Sequence, residues 1–511
     1  MSTTTEAEGV LAVRVFPRLY RDSVALMALA SGLEQLPGVV RVGAVMATPS
    51  NVEILGRAAM CPPDLAAAPD DLLVSVRAID DPTASAALDT AEAGLTATDT
   101  GPTGSAVRAA PGTLREAFAE QPEANLVAVS TPGTYAPIVA EQALRTGRHV
   151  FCFSDNVSVP DEIRLKELAA ESGLVLMGPD CGTALLDGVP LGFANVVRPG
   201  PVTIVSASGT GAQEVACLLH RAGVGVRQIV GVGGRDLSAE VGGLMTLHVL
   251  DLVDADPETE VVVVVSKPPA AAVAEALLAR LATMRAPTVA CLLGQRDTDE
   301  PVPVRGTLEG GARAAAALAG ADLELADPEQ SPEFRGLVAE GPRGPGVRGL
   351  FVGGTLASEA RYVLRELGVD AEVLDLGDDQ YTAGRPHPMI DPTLRADEIA
   401  RTGQLADVGV LLVDVVLGYG SAADPAGPVA DAVRAARAEA ADAGRALVVV
   451  GSVCGTDADP QDLAAQQRAL AEAGILLAPS AAAAARLAGT LAGGHAPASG
   501  SGAATSERSG R

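Results

Sequence analysis

Short apolar runs alternate with amphipathic stretches of helix length along almost the whole chain. "VLAVRVF" leads into "RDSVALMALASGLEQL", "VVRVGAVMA" into "NVEILGRAA", and then comes "DLLVSVRA", which reads as β-α-β-α-β. The Gly/Pro/Ser/Thr-rich stretch "TATDTGPTGSAVRAAPGT" (96–113) interrupts the pattern as a surface loop or linker. Beyond it, "NLVAVSTPG", "HVFCFSD", "LVLMGPDCG", "VTIVSASGTG", "RQIVGVGGRD", "VVVVVSKPP" and "TVACLLGQ" each read as a strand ending in small or polar residues. Near-continuous apolar strands of this kind belong to parallel sheets covered on both faces, and such sheets bind ligands outside their strands' carboxyl ends. The expected fold class is therefore α/β, with several doubly wound, mostly parallel domains.

A second interruption, "DPEQSPEFRGLVAEGPRGPGVRG" (327–349), predicts another linker. After it "LFVGGTLASEA", "AEVLDLGDD", "VGVLLVDVV", "LVVVGSVCGTD" and "ILLAPS" form a further doubly wound domain, and the tail "HAPASGSGAATSERSGR" has the composition of disorder. The two halves share an order of strand, G-T turn and helix, consistent with a distant duplication.

Composition narrows the partners. Of 511 residues 48% are apolar but 2% aromatic, so the core must be aliphatic and Ala-rich. A net charge of −27 opposes general affinity for nucleic acid or anionic membrane, both of which need a basic face. An anionic substrate then requires a local basic or N–H-rich pocket. The lysines are Lys166 and Lys267, with no G-K-S/T step and hence no Walker-type phosphate loop. Six scattered cysteines without a C-x-x-C pair disfavour a zinc site and a disulfide framework, so no metal is expected. The opening "MSTTTEAEGV" lacks signal-peptide regions, and the expected location is a reducing cytoplasm.

Five places can carry chemistry. "SASGTG" puts Ser206, Ser208, Gly209, Thr210 and Gly211 at a strand-to-helix turn, where N–H groups and the helix dipole favour an anion. "GVGGRDLS" (231–238) offers a second such turn, with Gly233, Gly234 and the guanidinium fork of Arg235. "GPDCG", comprising Gly178, Pro179, Asp180, Cys181 and Gly182, ends another strand, and Cys181 reads as ligand-lining or structural rather than nucleophilic. Lys267 follows five valines at a strand end and is stiffened by Pro268 and Pro269, a placement suited to an anion. A final polar cluster, "GDDQYTAGRPHPMIDPTLR", holds Asp378, Asp379, Tyr381, Arg385, His387, Asp391 and Arg395 and reads as a substrate or subunit loop. His220 and His248 fall in helix-like segments and read as structural.

The strings "MGPDCGTALLDGVPLGFANVVRPGPVTIVSASGTGAQEV", "GVGGRDLSAEVGG", "VVSKPPA" and "LDLGDDQYTAGRPHPMIDPTLR" closely resemble the FdrA family, within the succinyl-CoA synthetase superfamily. The resemblance runs from about Val10 to Leu491 and implies Rossmann/flavodoxin-like domains. These are a disordered start (1–9), a CoA-binding-like region (10–198), a ligase-CoA-like domain (199–326), a linker (327–347), a second ligase-CoA-like domain resembling a synthetase β-subunit carboxyl domain (348–493) and a disordered tail (494–511). "GPDCG" resembles the superfamily's CoA-side loop and "SASGT" its phosphate-facing helix start. The superfamily's phosphorylated histidine has no counterpart: Thr307 or Glu309 stands about where it is expected, the strand end that should carry its supporting acid reads "VSKPP", and no ATP-grasp domain is present.

Similarity to FdrA proteins further implies a subunit of an oxamate carbamoyltransferase-type enzyme. Phosphate or carbamoyl phosphate would be substrate, CoA an optional ligand, and Ser208, Arg235 and Lys267 the catalytic candidates, with partner subunits completing the site. Two rival readings stand beside it: an α-like acyl-CoA synthetase subunit receiving ATP-grasp and phosphohistidine functions in trans, and a non-catalytic CoA- or phosphate-sensing assembly subunit.

Overall fold

The computed structural model describes residues 9–19, 21, 23–48, 51–52, 55–56, 58–62, 65–96, 111–339, 346–382 and 386–493. Most of the 96–113 loop, part of the second linker, the tail and Arg385 lie outside them. The chain divides into two compact units, one formed by residues up to 110 with 379–386, the other by residues 111–378 and 387 onward.

In the first unit β1 (Val10–Phe16), β2 (Val39–Met46) and β3 (Leu72–Ala78) form a sheet in the order β1-β3-β2, with β3 antiparallel to both neighbours. Helices Ser23–Glu34 and Asp81–Thr96 cover one face, packing Leu26, Leu33, Ala87 and Leu88 on Phe16, Val42, Val74 and Val76. Ala47, Leu55, Met60 and Cys61 close on Leu73 in a separate apolar cluster. This corrects the expected parallel, Rossmann-like region at its N-terminal end. Apolar runs such as "LLVSV" record burial, and burial is the same whichever way a central strand points.

The second unit contains β4 (Leu126–Val129), β5 (His149–Cys152), β6 (Leu176–Met177), β7 (Thr183–Leu186), β8 (Val189–Gly192), β9 (Val202–Ser206), β10 (Val226–Gly231), β11 (Val261–Ser266), β12 (Thr288–Leu292) and β13 (Val304–Arg305). Its later strands are β14 (Gly346–Phe351), β15 (Ala371–Asp375), β16 (Val408–Val416), β17 (Val448–Cys454) and β18 (Ile475–Ala478). β4-β5-β6 is a small parallel sheet. The other two are β13-β12-β11-β9-β10-β7-β8 and β18-β17-β16-β14-β15. Without the antiparallel pair β7 and β8, both run fifth, fourth, third, first, second, each with parallel pairing. The two halves thus share one doubly wound topology, whose strand order reverses between its first and third strands.

They also exchange caps. Glu214, on helix Gly209–Arg221, accepts the Ala481 N–H (3.1 Å) at the start of helix Ala481–Leu491. Glu359, on helix Gly354–Glu366, accepts the Leu308 N–H (2.6 Å) at the start of helix Leu308–Leu318. Each glutamate lies five residues into its helix and satisfies an orphan donor in the other half. One continuous aliphatic core, including Val215, Leu218, Leu356, Ala360, Ala484 and Leu487, fills the space between.

Candidate anion site at the sheet edges

The switch point of the first half lies between β9 and β11, whose carboxyl ends are Ser206 and Ser266. Beyond β9 the small residues are used locally. Ser206 Oγ accepts the Ser208 N–H (3.0 Å) and donates to Ser208 O (2.6 Å), and Ser208 Oγ caps its helix through the Gly211 N–H (3.0 Å). Among the described residues the N–H groups of Gly209 and Thr210 have no partner. "SASGTG" is therefore a formed helix start with two open donors.

What faces it is the equivalent start in the other half. Ser208 Oγ meets Thr355 Oγ1 at 2.5 Å, and Thr355 belongs to "GGTLAS" (353–358) after β14. Gly353 has no side chain to cap with, and the N–H groups of Gly354, Thr355 and Leu356 are likewise without partners among the described residues. Asp414, buried at β16, holds the preceding turn by accepting the Val352 and Gly353 N–H groups at 2.9 Å each. The guanidinium of Arg395, also buried, donates to Asp414 O (2.6 Å) and lies 3.4 Å from Oδ1.

The Lys267 side chain, just past β11, is exposed, and its ammonium makes no hydrogen bond or ion pair among the described residues. Its Nζ would lie 3.5 Å from a Cβ added to Gly354, and Asp375 Oδ2 would lie 2.3 Å from it. Burial raises the Asp375 carboxyl above its ordinary range, while Lys267 pulls it down. Two helix starts, a lysine and an acid thus converge where only glycine fits. This arrangement can neutralise a phosphate or carboxylate and leave one acid beside it.

The remaining predicted residues divide. "GVGGRD" packs on "GPDCG": a Cβ on Gly233 would lie 2.5 Å from Pro179 O, and one on Gly231 2.4 Å from Cys181 Sγ. Gly178 and Gly233 both have positive φ (106° and 88°). Asp180 (φ 54°) is held through its N–H on Ser154 O, at 2.9 Å. Gly234 and Gly182 follow in the same turns. Arg235 is not an open anion fork. It is ion-paired with Glu162 (2.8 Å) and donates to Val157 O (2.8 Å), an engagement its own segment gives no sign of.

Cys181 is fully buried and its thiol is pushed up to about 12 by burial, so it is not a nucleophile at neutral pH. Native protein at pH 8 is expected to leave Cys181 unmodified by iodoacetamide over a period that alkylates it fully in urea, as read by peptide mass.

The polar cluster of residues 378–395 also splits. Asp379 and Tyr381 group with the first unit, Asp378 and His387 with the second. Asp391 caps the next helix through Thr393 (N–H 3.0 Å, Oγ 2.6 Å), a structural role rather than a substrate contact. His387 accepts the Met389 N–H on Nδ1 (3.2 Å), placing its ring proton on Nε2. Burial and then the Arg395 charge lower it to about 4, so the ring is neutral.

At Thr307–Glu309 the helix start is filled. Thr307 Oγ caps through Gly310 N (3.1 Å), Glu359 takes Leu308 N, and Glu309 engages Ser480 (2.6 Å) and Arg486 (2.8 Å). Carboxylates occupy the place that the superfamily resemblance gives to a phosphorylated histidine.

The protein YahF of Escherichia coli (strain K12) is 38% identical over 498 residues, covering 91% of this chain and 95% of its own. The chain belongs to the FdrA-like family. Subunit alpha 2 of an ADP-forming succinate–CoA ligase from Archaeoglobus fulgidus is 31% identical over 158 residues, 30% of this chain and 53% of that one, so the FdrA-like chain spans about half the length of that relative. A solved dinucleotide-forming acetyl-coenzyme A synthetase from Ca. Korarchaeum cryptofilum aligns at 17% identity and a TM-score of 0.29, over 72% of this chain and 82% of that one. The CoA-ligase family matches residues 350–491 and the CoA binding domain residues 197–291. The latter falls on the segment expected to be ligase-like, one domain later than the resemblance implied.

Residues 9–111 match a family described as "AllF, heavy metal-associated domain". The residues present do not fit a metal centre. That segment contains one cysteine, Cys61, and no histidine, and no group of three potential ligands occurs among the described residues. Cys61 is buried, with its thiol raised by burial.

Proposed function

We propose that this acyl-CoA synthetase-like chain is one subunit of a group transferase that exchanges a carbamoyl group between oxalurate and phosphate. The observation that carries the reading is the Ser208–Thr355 meeting of two open helix starts beside an unpaired Lys267. In the synthetic direction the amide nitrogen of oxamate attacks the carbamoyl carbon of carbamoyl phosphate, forming a C–N bond. The C–O bond to phosphate breaks, its electron pair leaves with phosphate, and the nitrogen's proton passes to the departing phosphate, which leaves as the hydrogen phosphate dianion. The helix starts and Lys267 would stabilise charge on the leaving oxygens, where preorganised donors act most strongly. No phosphorylated histidine is needed, in keeping with the filled helix start at Thr307.

The deciding assay is phosphate-dependent oxalurate cleavage, followed as carbamoyl phosphate, with the chain alone and with the proteins encoded beside its gene. Activity only with partners is expected. Lys267→Ala and Gly354→Val should each weaken carbamoyl phosphate binding about ten- to a hundredfold, the worth of one charge-assisted contact. Unchanged binding in both removes the site.

The CoA-binding and CoA-ligase matches favour a second reading, acyl-CoA ligation with missing functions supplied in trans. ATP-dependent thioester formation with no oxalurate cleavage would select it.

A further inference from the structure

The chain has no Trp, seven Phe and five Tyr, so aromatic rings gathered in one place need a reason. Phe153, Phe193 and His387 form such a row: the Phe153 and Phe193 ring centres are 5.9 Å apart and those of Phe193 and His387 5.7 Å, tilted by 43° and 42°. Phe153 follows the carboxyl end of β5 and is 39% exposed, an unfavourable placement for a ring that the core of this aliphatic protein could have used.

Glycines bring the row close. A Cβ on Gly420 would lie 2.7 Å from the Phe193 ring, and one on Gly377 2.4 Å from His387 Nε2. The Gly377 N–H donates to Asp375 Oδ1 (3.0 Å), and Asp375 Oδ2 lies against Gly354. The rings therefore run on directly from the anion end, along one edge of the unit.

We propose that the anion bound at this edge is planar: its charged end lies at the Gly209 and Gly354 helix starts with Lys267, and the conjugated group next to it lies on Phe193 and His387. This rests on the anion-binding reading above and narrows it. The substrate class is a conjugated anion, in which a carboxylate or phosphate is joined to an amide, ureide or heteroaromatic plane, rather than an aliphatic acid with tetrahedral carbons. Offset stacking on such rings favours centre separations like those within the row, and stacking of a planar base on an aromatic side chain contributes about 1–3 kcal/mol. A neutral His387 gives a flat face without placing a second charge beside the site.

The test is calorimetric titration of the full chain with four probes: inorganic phosphate, phenyl phosphate, cyclohexyl phosphate and adenosine 3′,5′-bisphosphate. Phenyl phosphate is expected to bind about tenfold tighter than its cyclohexyl counterpart. Phe193→Leu, which keeps an apolar side chain but removes the ring, should bring that ratio below threefold, and inorganic phosphate titrated into the same variant reports on the anion end. If that variant no longer folds, Phe193→Met, which removes the ring but fills more of its volume, gives the same readout. Tighter binding of the bisphosphate, with the same sensitivity to Phe193, assigns the plane to a nucleobase, and weaker binding assigns it to a small substrate. Equal affinities for the phenyl and cyclohexyl esters, with inorganic phosphate still bound, overturn the planar assignment alone. Failure of all four probes to bind overturns the anion site and the planar assignment with it.

Discussion

Lys166→Met is expected to destabilise the protein by about 3–5 kcal/mol, as loss of one partner from a buried ionic cluster does. Lys166 is completely buried in helix Val159–Glu171, on a stripe with Glu162, Leu165 and Ala169 that follows the helical repeat. Its ammonium uses all three donors: Glu162 Oε1 and Asp236 Oδ1 at 2.7 Å, and Val232 O at 2.9 Å. Asp236 in turn holds the start of helix Leu244–Ala255 by accepting the Met245 and Thr246 N–H groups (3.2 and 2.8 Å). Methionine fills similar space but strands the Asp236 carboxylate away from water, since Glu162 keeps Arg235 while Asp236 loses its cation. The urea midpoint should fall markedly at unchanged slope, and adding Asp236→Asn to Lys166→Met should recover part of the loss by removing the stranded charge. A loss below about 1 kcal/mol would mean that water reaches the cluster.

This lysine marks how far the chain could be read. The strands "VTIVS", "VVVVVS" and "TVACL" announced a buried parallel sheet because their apolar runs have no polar face, and the rule about carboxyl ends led directly to Ser208 and Lys267. "EIRLKEL" gave no hint that Lys166 is interior. Lysine normally extends to solvent, and one of its anionic partners, Asp236, lies 70 residues away. Arg235 misled for the same reason, since a guanidinium suited to an external anion is equally suited to Glu162. The partner of "SASGTG" was also missed. "GVGGRD" follows it closely in sequence, but the chain folds that turn onto "GPDCG" and brings in "GGTLAS" from the other half. A sequence signal for that pairing did exist: "GTGAQE" and "GTLASE" share the G-T step and a glutamate five residues after the first glycine. Those glutamates prove to be the exchanged caps.

The second of those caps should make stability fall as pH rises. Glu359 is completely buried, and burial raises its carboxyl to about 8, assisted by the charges of Glu214 and Glu309 and opposed by the Leu308 N–H and Arg486. One oxygen takes the Leu308 N–H, and the other is buried without a partner, which suits a carboxylic acid better than a carboxylate. Between the ordinary glutamate value of 4.5 and 8 the unfolded chain releases this proton while the folded chain retains it. The folded state then binds more protons, so folding free energy is lost as pH rises through that window and levels off above it. The loss is on the order of 3–5 kcal/mol. Glu359→Gln keeps a carbonyl for Leu308 and has no proton to lose. Its urea midpoint should match that of the parent near pH 5, exceed it progressively towards pH 8, and run parallel beyond. Other buried acids, such as Glu214, slope the same way, but they are common to both proteins and cancel in the difference. A difference that stays flat from pH 5 to 8.5 would show Glu359 to be ionised throughout. Glu359 would then be a charged contact at the Leu308 helix start, and no neutral acid would hold that start.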